Sequence, residues 1–410
     1  MLKKRVVMMA TAAMVVLSLA TSAMAQDQTL IRLWSGSSSP VENEYLEGQV
    51  AAFEEANPDI DVELLISPDY GTQLQAGFAS GDYPEVFSVG QFEFPTYRDS
   101  GVLAEGQEFI EDIDGIYPSL LNAFTYEGVA YCPPKDFSTL ALYYNKDLFD
   151  AAGLDYPTSE WTWEDMTAAA EALTTDDVVG FSASEDLNRW MGLVFANGGS
   201  LFDADGAVAI NSPEAVAALD FYSSFVANGT GALPSSLESG WNGEAFGKGA
   251  AAMTIEGNWA LGYLDEGFTD TNYGVAELPS APSGDKSTLV FTVCWAVAAN
   301  AEDAKAEAAW KLVNFLTGEE AAAGLGEAAF GVMPARSSAG DAWLAAKGEN
   351  GQAFVTGADY AMTTVWPLGY ADFNDVIAKG SIEVMNGAKS AQELLDEAAE
   401  VAAEIQAELE

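Results

Sequence analysis

The chain has 410 residues, 49% of them hydrophobic and 11% aromatic, with ten Trp; this is too long for one ordinary core and sufficient for two packed lobes, which excludes a small disulfide scaffold and wholesale disorder. Acidic residues outnumber basic ones 63 to 16, a formal net charge of −47, and no run of Lys or Arg follows Arg5, so nucleic acid and anionic lipid are disfavoured as partners. Histidine is absent, which removes the commonest general base, triad partner and zinc ligand.

Lys3, Lys4 and Arg5 open the chain, Val6 to Ala20 is apolar, and Ala23-Met24-Ala25 is a small-residue pattern of the kind signal peptidase cleaves, here before Gln26. The expectation is a cleavable signal peptide over residues 1–25 and export to the periplasm. An uncleaved anchor is the alternative, disfavoured because Thr and Ser interrupt a short stretch. No Cys follows the leader to carry a lipid, and no later apolar run is long enough to span a membrane. Cys132 and Cys294 are the only cysteines. An oxidising compartment permits them to pair, and two buried thiols acting as small hydrophobes are the alternative.

Leu30 to Trp34 reads as a strand, Glu44 to Ala56 as an amphipathic helix ended by Asn57-Pro58, and Ile60 to Ile66 as a second strand. A helix from Tyr70 to Ala79 stops at Gly81, a strand follows from Glu85 to Val89, and a helix runs from Phe92 towards Gly101. This alternation predicts a parallel, doubly wound sheet. Pro133-Pro134 breaks two extended stretches between Gly128 and Asn145 and favours a crossing segment there. Further helices are expected near 163–173, 213–228, 301–317, 371–386 and 391–409, with starts marked by Thr162 and Asp165, Ser212 and Pro213, and Ser390 and Glu393. Strands are expected at Ala251 to Ile255, Tyr273 to Leu278 and Leu289 to Ala298, the last apolar enough to be covered on both faces.

No Walker loop, dinucleotide fingerprint or cluster of Cys ligands is present, and Asp203-Ala204-Asp205-Gly206 has too few ligand positions for a calcium loop and reads as a surface turn. Neither a metal nor a cofactor is expected. Pairs of carboxylates are inevitable among 63 acids and carry little weight for hydrolysis. The aromatic residues say more. Trp34 precedes the loop Ser35 to Pro40, Trp259 follows Glu256-Gly257-Asn258, and Trp366 precedes Pro367. Rings beside carboxylates and amides suit a carbohydrate, which offers apolar C–H faces and a rim of hydroxyls.

These residues stand within an ordered series of segments: FASGDYPEVFSVG (78–90), ALYYNKDLFDAAGL (141–154), WTWEDM (161–166), NGGSLF (197–202), EAFGKGAAAMTIEGNWA (244–260), NYGVAELPSAPSG (272–284) and AAWKLVNFLTGEE (308–320). The series resembles the extracellular solute-binding proteins of ABC importers, in the carbohydrate-binding group that includes maltose and trehalose binders. The resemblance implies an α/β, periplasmic-binding-protein-like fold: two doubly wound α/β lobes joined by hinge segments, with the ligand cleft between them. It implies lobes of residues 26–136 plus 296–330 and 137–295 plus 331–410, with crossings near Pro133 to Ser138, Leu289 to Trp295 and Gly326 to Pro334. Cys132 and Cys294 then lie beside two crossings, which adds to the case for a covalent tie.

The resemblance also implies ligand contacts. It assigns them to Trp34, Ser38 in the loop after it, Glu42 and Glu44, and to Gln91 after the PEVFSVG strand. Ser138 stands where maltose and trehalose binders have Asp or Glu, and Asp136 is the acid two residues away. Trp259 and Trp295 match cleft indoles, Glu256 is an acceptor beside the first, Arg336 is a forked donor at the third crossing, and Trp366 and Tyr370 are second-lobe aromatics. The function implied is capture of a mono- or oligosaccharide, without catalysis, by a monomer that docks on membrane permease subunits. The alternatives are a binder of a polyol or glycerophosphodiester, or a secreted carboxylate-based glycoside hydrolase.

Overall fold

The computed structural model describes residues 28–36, 40–203, 207–328, 331–363 and 370–409, so the leader read at residues 1–25 lies outside the described residues. β1 (Thr29–Gly36) pairs in parallel with β2 (Ile60–Ser67), from Thr29 opposite Ile60 to Gly36 opposite Ser67, and with β3 (Val86–Gly90). The helix Pro40–Ala56 connects the first two and buries Leu46, Val50 and Phe53, whose spacing puts them on one face. The helix Tyr70–Ser80 connects β2 to β3 and ends where Gly81 takes a φ of 75°, a left-handed conformation that glycine adopts without strain.

β4 (Thr125–Tyr126) and β5 (Val129–Ala130) form a separate hairpin. The remaining strands are β6 (Pro134–Asn145), β7 (Val179–Ser182), β8 (Gly231–Ala232), β9 (Ala251–Gly257), β10 (Tyr273–Ala276), β11 (Thr288–Val297), β12 (Met333–Pro334) and β13 (Ala361–Met362). The large sheet runs β2-β1-β3-β11-β6-β9-β7-β8. Its outer pairs, β1–β2, β1–β3, β7–β8 and β7–β9, are parallel, as the alternation of strands and helices predicts.

The parallel expectation fails in the middle, where β3–β11, β11–β6 and β6–β9 are antiparallel. β6 and β11 belong to neither half alone. The end of β11, Val293 to Val297, pairs with β3, while Val290 to Cys294 pairs with β6. Beyond Thr139, β6 leaves β11 and pairs with β9 from Leu140 to Tyr144. Such strands run across the junction, so no helix returning over the sheet sets their direction. β12 adds a third extended segment, placing Met333 and Pro334 against Phe137 and Asp136.

Each half has its own core. One gathers Ile31, Leu33, Phe53, Val297, Leu312 and Val313 between β1, the helix Pro40–Ala56 and the helix Asp303–Thr317. The other gathers Leu142, Phe149, Met166, Phe181, Trp190 and Leu394. A third cluster around Phe137, Tyr143, Val290, Met333 and Trp343 packs behind the crossing strands. The helices Trp163–Leu173, Pro213–Ala227, Asp303–Thr317, Tyr370–Met385 and Ala391–Leu409 stand where their signals predict. Thr162 and Asp165 form a reciprocal capping box, Ser212 accepts from Ala215 N, and the Ser390 hydroxyl accepts from Glu393 N. The helices Leu187–Ala196, Gly340–Lys347 and Glu349–Ala358 were not anticipated.

Cys132 and Cys294 are joined in a disulfide with Cα atoms 5.7 Å apart. Both are wholly buried beside Phe87, Val89 and Phe124. The bond ties the chain just before β6 to β11. Among the described residues no helix is long and apolar enough to cross a membrane.

Candidate functional site

At the crossing of β6 and β11 lies a cavity of about 420 Å³, a size that suits a small-molecule ligand. Asp136 and Ser138 line the cavity, and Phe137 between them turns back into the third core. On β11, Phe291, Thr292 and Val293 line it, and Val290 joins that same core. The Ser138 hydroxyl has no hydrogen-bond partner among the described residues and is only 4% exposed, so it is available to a guest.

One wall is aromatic. The Trp259 ring meets Phe291 edge to face at 5.4 Å, and Phe291 meets Phe92 in the same manner at 6.2 Å. The run Glu256-Gly257-Asn258-Trp259 builds this wall. Gly257 is required because a Cβ there would lie 2.2 Å from the Trp259 ring. Asn258 is wholly buried, accepts from Thr139 N at 3.1 Å and donates to Gly331 O at 2.8 Å, which fixes the turn against β6 and the third crossing. Trp259 Nε1 donates to Glu256 Oε2 at 3.0 Å, and Arg189 Nε donates to Glu256 Oε1 at 3.1 Å. The Arg189 guanidinium also lies 5.4 Å from the Trp259 ring centroid. Burial pushes the Glu256 carboxyl above its ordinary value, against the pull of Arg189 and the indole hydrogen bond.

Glu256 is therefore a support for the indole and does not line the cavity, which corrects its reading as a ligand acceptor. Glu256→Ala is expected to cost about 3–5 kcal/mol in thermal denaturation, because Arg189 is left buried without this carboxylate. Glu256→Gln, which keeps an acceptor for the indole, should lose less. An unchanged melting temperature in the alanine variant would show that the ion pair contributes nothing.

The lining beside it is charged. Lys135 Nζ bonds Glu42 Oε1 at 3.1 Å and is in close contact with the carboxylate of Asp136. Burial acts to lower the Lys135 pKa, but Asp136 and Glu42 outweigh it and hold the ammonium above its ordinary value. Burial raises the Asp136 carboxyl against the pull of Lys135, with Glu42 adding to the rise.

Other expected contacts stand elsewhere. Trp34 is half-buried on the other face of β1, packed on the cluster of Leu74, Tyr83 and Phe87, because successive residues of a strand alternate. Glu44 is exposed; two residues from Glu42 is more than half a helical turn, so it faces away from the cavity. Gln91 lines the cavity, but its amide is committed to β11, donating to Val290 O at 2.8 Å and accepting from Thr292 N at 3.2 Å. Trp295 is 3% exposed in the first half's core, 6.0 Å from Lys135 Nζ, and does not line the main cavity.

Arg336 is engaged within the protein. Its guanidinium bonds Asp112 Oδ2 at 2.7 Å and Asp112 O at 2.9 Å, reaches Glu111 O at 3.3 Å and donates from Nε to Thr317 O. These bonds tie the segment after β12 to Asp112 and Glu111; Arg336 does not line the main cavity but lines a smaller one that shares Glu42, Lys135 and Asp136 with it. Ser38 and Trp366 lie outside the described residues, and the side chain of Tyr370, which starts a helix, is likewise not described. Asp203 Oδ1 accepts from Ala207 N at 2.9 Å, as in a turn, and no group of three or more metal-ligating side chains occurs among the described residues. Sequence reasoning missed Lys135, Arg189, Phe92 and Phe291. Lys135 carried a signal, a lone cation beside Asp136 at a predicted crossing. Phe291 carried none, since its apolar strand reads as buried on both faces.

Two α/β halves, strands shared between them and a lined cavity at the crossing are the architecture of a protein that holds a solute between two lobes. The chain belongs to the bacterial extracellular solute-binding protein family, whose profile matches residues 48–382. It is 27% identical over 298 residues to the sn-glycerol-3-phosphate-binding periplasmic protein UgpB of Escherichia coli O1:K1, a match covering 66% of this chain and 65% of the relative's length. Its fold is similar to that of the ABC substrate-binding protein Lmo0181 from Listeria monocytogenes, solved with cycloalternan, at a TM-score of 0.85 and 29% identity over 93% of this chain and 100% of that one. UgpB from Mycobacterium tuberculosis, solved with glycerophosphocholine, shares the fold at a TM-score of 0.81 and 20% identity over 93% and 99% of the two chains. These relatives are all described as binding proteins.

Proposed function

We propose that this protein is the substrate-binding component of an ABC importer and that its solute is a neutral mono- or oligosaccharide, bound and released unchanged. The observation that carries the reading is the pairing of an aromatic wall, Trp259 and Phe291, with an adjoining rim of carboxylates and a hydroxyl, Glu42, Asp136 and Ser138. Flat rings suit the C–H face of a sugar, and carboxylates accept from its hydroxyls. Charge separates this from a phosphodiester. The cations at the site are already matched: Lys135 by two carboxylates, and Arg189 by Glu256 and Asp186. A phosphate would meet a surplus of negative charge, and a neutral sugar would not.

The lobes read in the sequence would exchange the chain along β6, β11 and β12 and close on the sugar, because only the closed form gives the ligand contacts with both. Permease subunits would then receive the closed form. Export on the leader, cleavage after Ala25, residence in the periplasm and a monomeric state belong to the same reading. The test is a thermal-shift screen of mono- and disaccharides, polyols and glycerophosphodiesters, with product analysis of each hit. Saturable stabilisation by a sugar without products is expected. Stabilisation by a glycerophosphodiester alone, or turnover of a glycoside, overturns the proposal.

A further inference from the structure

Trp259 lines the main cavity, but the polar groups that hold it do not. Its Nε1 donates to Glu256 Oε2 at 3.0 Å, and the other oxygen of that carboxylate accepts from Arg189 Nε at 3.1 Å. Arg189 Nη1 in turn bonds Asp186 Oδ2 at 3.1 Å, and Asp186 Oδ1 accepts from Asn188 N at 3.0 Å, capping the helix Leu187–Ala196. Trp190, Met191, Leu193 and Val194 bury that helix in the second half's core. Glu256 is 1% exposed on β9, with Ala141 of β6 opposite it. The series Asp186, Arg189, Glu256, Trp259 is therefore fixed at one end by a helix start and in its middle by a strand.

A single N–H bond fixes one atom of an indole and leaves the ring free to tilt about it. Arg189 restricts that tilt, because its guanidinium carbon also stands over the Trp259 ring, 5.4 Å from the centroid, where the electron-rich face attracts a cation. One carboxylate and one guanidinium thus set both the place and the inclination of the ring. The arrangement suits the planar fork of arginine. A lysine ammonium is a point donor on a flexible stem and cannot hold Glu256, Asp186 and the ring face together in the same geometry.

We propose that Arg189 is a positioning residue for the solute, acting through Trp259: from outside the cavity it holds the indole at the inclination on which the solute stacks. The proposal rests on the sugar reading above, which gives Trp259 to the solute. It makes affinity depend on a cation that the solute does not touch.

The test is a double-mutant cycle between Arg189 and Trp259, read by calorimetric titration with D-glucose, maltose, trehalose and glycerophosphocholine. Arg189→Lys keeps a cation beside Glu256 and is expected to weaken binding of the sugar that wild type takes by about fivefold to tenfold. Added to Trp259→Leu, the same substitution should change affinity by less than about twofold, since the ring it positions is gone. Arg189→Met combined with Glu256→Gln removes both buried charges together and leaves an amide oxygen for the indole; it should show the same dependence on Trp259, and it guards against a folding defect in the lysine variant. Melting temperatures confirm folding. Equal losses with and without the indole mean that Arg189 acts on the fold alone and overturn the positioning role. So does wild-type affinity in both Arg189 variants. Binding of glycerophosphocholine alone overturns the sugar reading, and the cycle on that solute then decides the positioning role by the same criterion. Wild-type protein that binds none of the four overturns both.

Discussion

Trp259→Ala is expected to weaken binding of whichever sugar stabilises the wild-type protein by about 30-fold or more, the effect of removing a central aromatic anchor worth about 2–4 kcal/mol. The ring is held before any ligand arrives. Glu256 fixes its Nε1 at 3.0 Å, Phe291 meets it edge to face with ring centroids 5.4 Å apart, and the Gly257 backbone lies too close for a Cβ. Little rotamer entropy is then lost on binding, which is why truncation should cost more than the loss of contact area alone. Trp295→Ala is the informative contrast. Its ring is 3% exposed in the first half's core, so truncation should cost about 3–5 kcal/mol of stability and register as a lower melting temperature. Titration calorimetry on the folded Trp259 variant decides the matter, and a wild-type dissociation constant there would mean that the ligand does not stack on this wall.

Removing the disulfide with the double substitution C132A/C294A is expected to cost about 2–5 kcal/mol of stability, because the bond closes a loop of 162 residues in the unfolded chain. Long loops lose the most entropy when closed. Both half-cystines are wholly buried, so a reductant acts only after opening, and substitution is the cleaner experiment. Ligand affinity should change little, since neither Cys lines the cavity. Denaturant titration of the oxidised wild type and the double variant measures the difference. Coincident midpoints would remove the bond from the account of stability, and two free thiols counted in denaturant without reductant would remove the bond itself.

Much of the architecture was legible because its signals are local. Leu46, Val50 and Phe53 announce a buried helical face, Gly81 a helix end, and Thr162 with Asp165 a capping box. The antiparallel middle of the sheet was not legible, because strands that serve both halves carry no mark of the direction in which they cross. The site was legible in part. Spacing places Asp136 and Ser138 on one strand face, and both line the cavity. Arg336 misled because its chemistry suits a ligand, whereas Asp112, its ion-pair partner, stands 224 residues away. Glu256 misled for a similar reason, its partner Arg189 lying 67 residues back.

The sequence by itself determined the alternation of elements, the excess of negative charge and the choice of residue types from which a sugar site is made, since these depend on neighbours along the chain. Only the tertiary structure decided which side chains are already spent. Whether a carboxylate or guanidinium faces solvent or a buried partner is set by contacts between distant segments, and hydrogen-bonding capacity used inside the protein is no longer available to a guest.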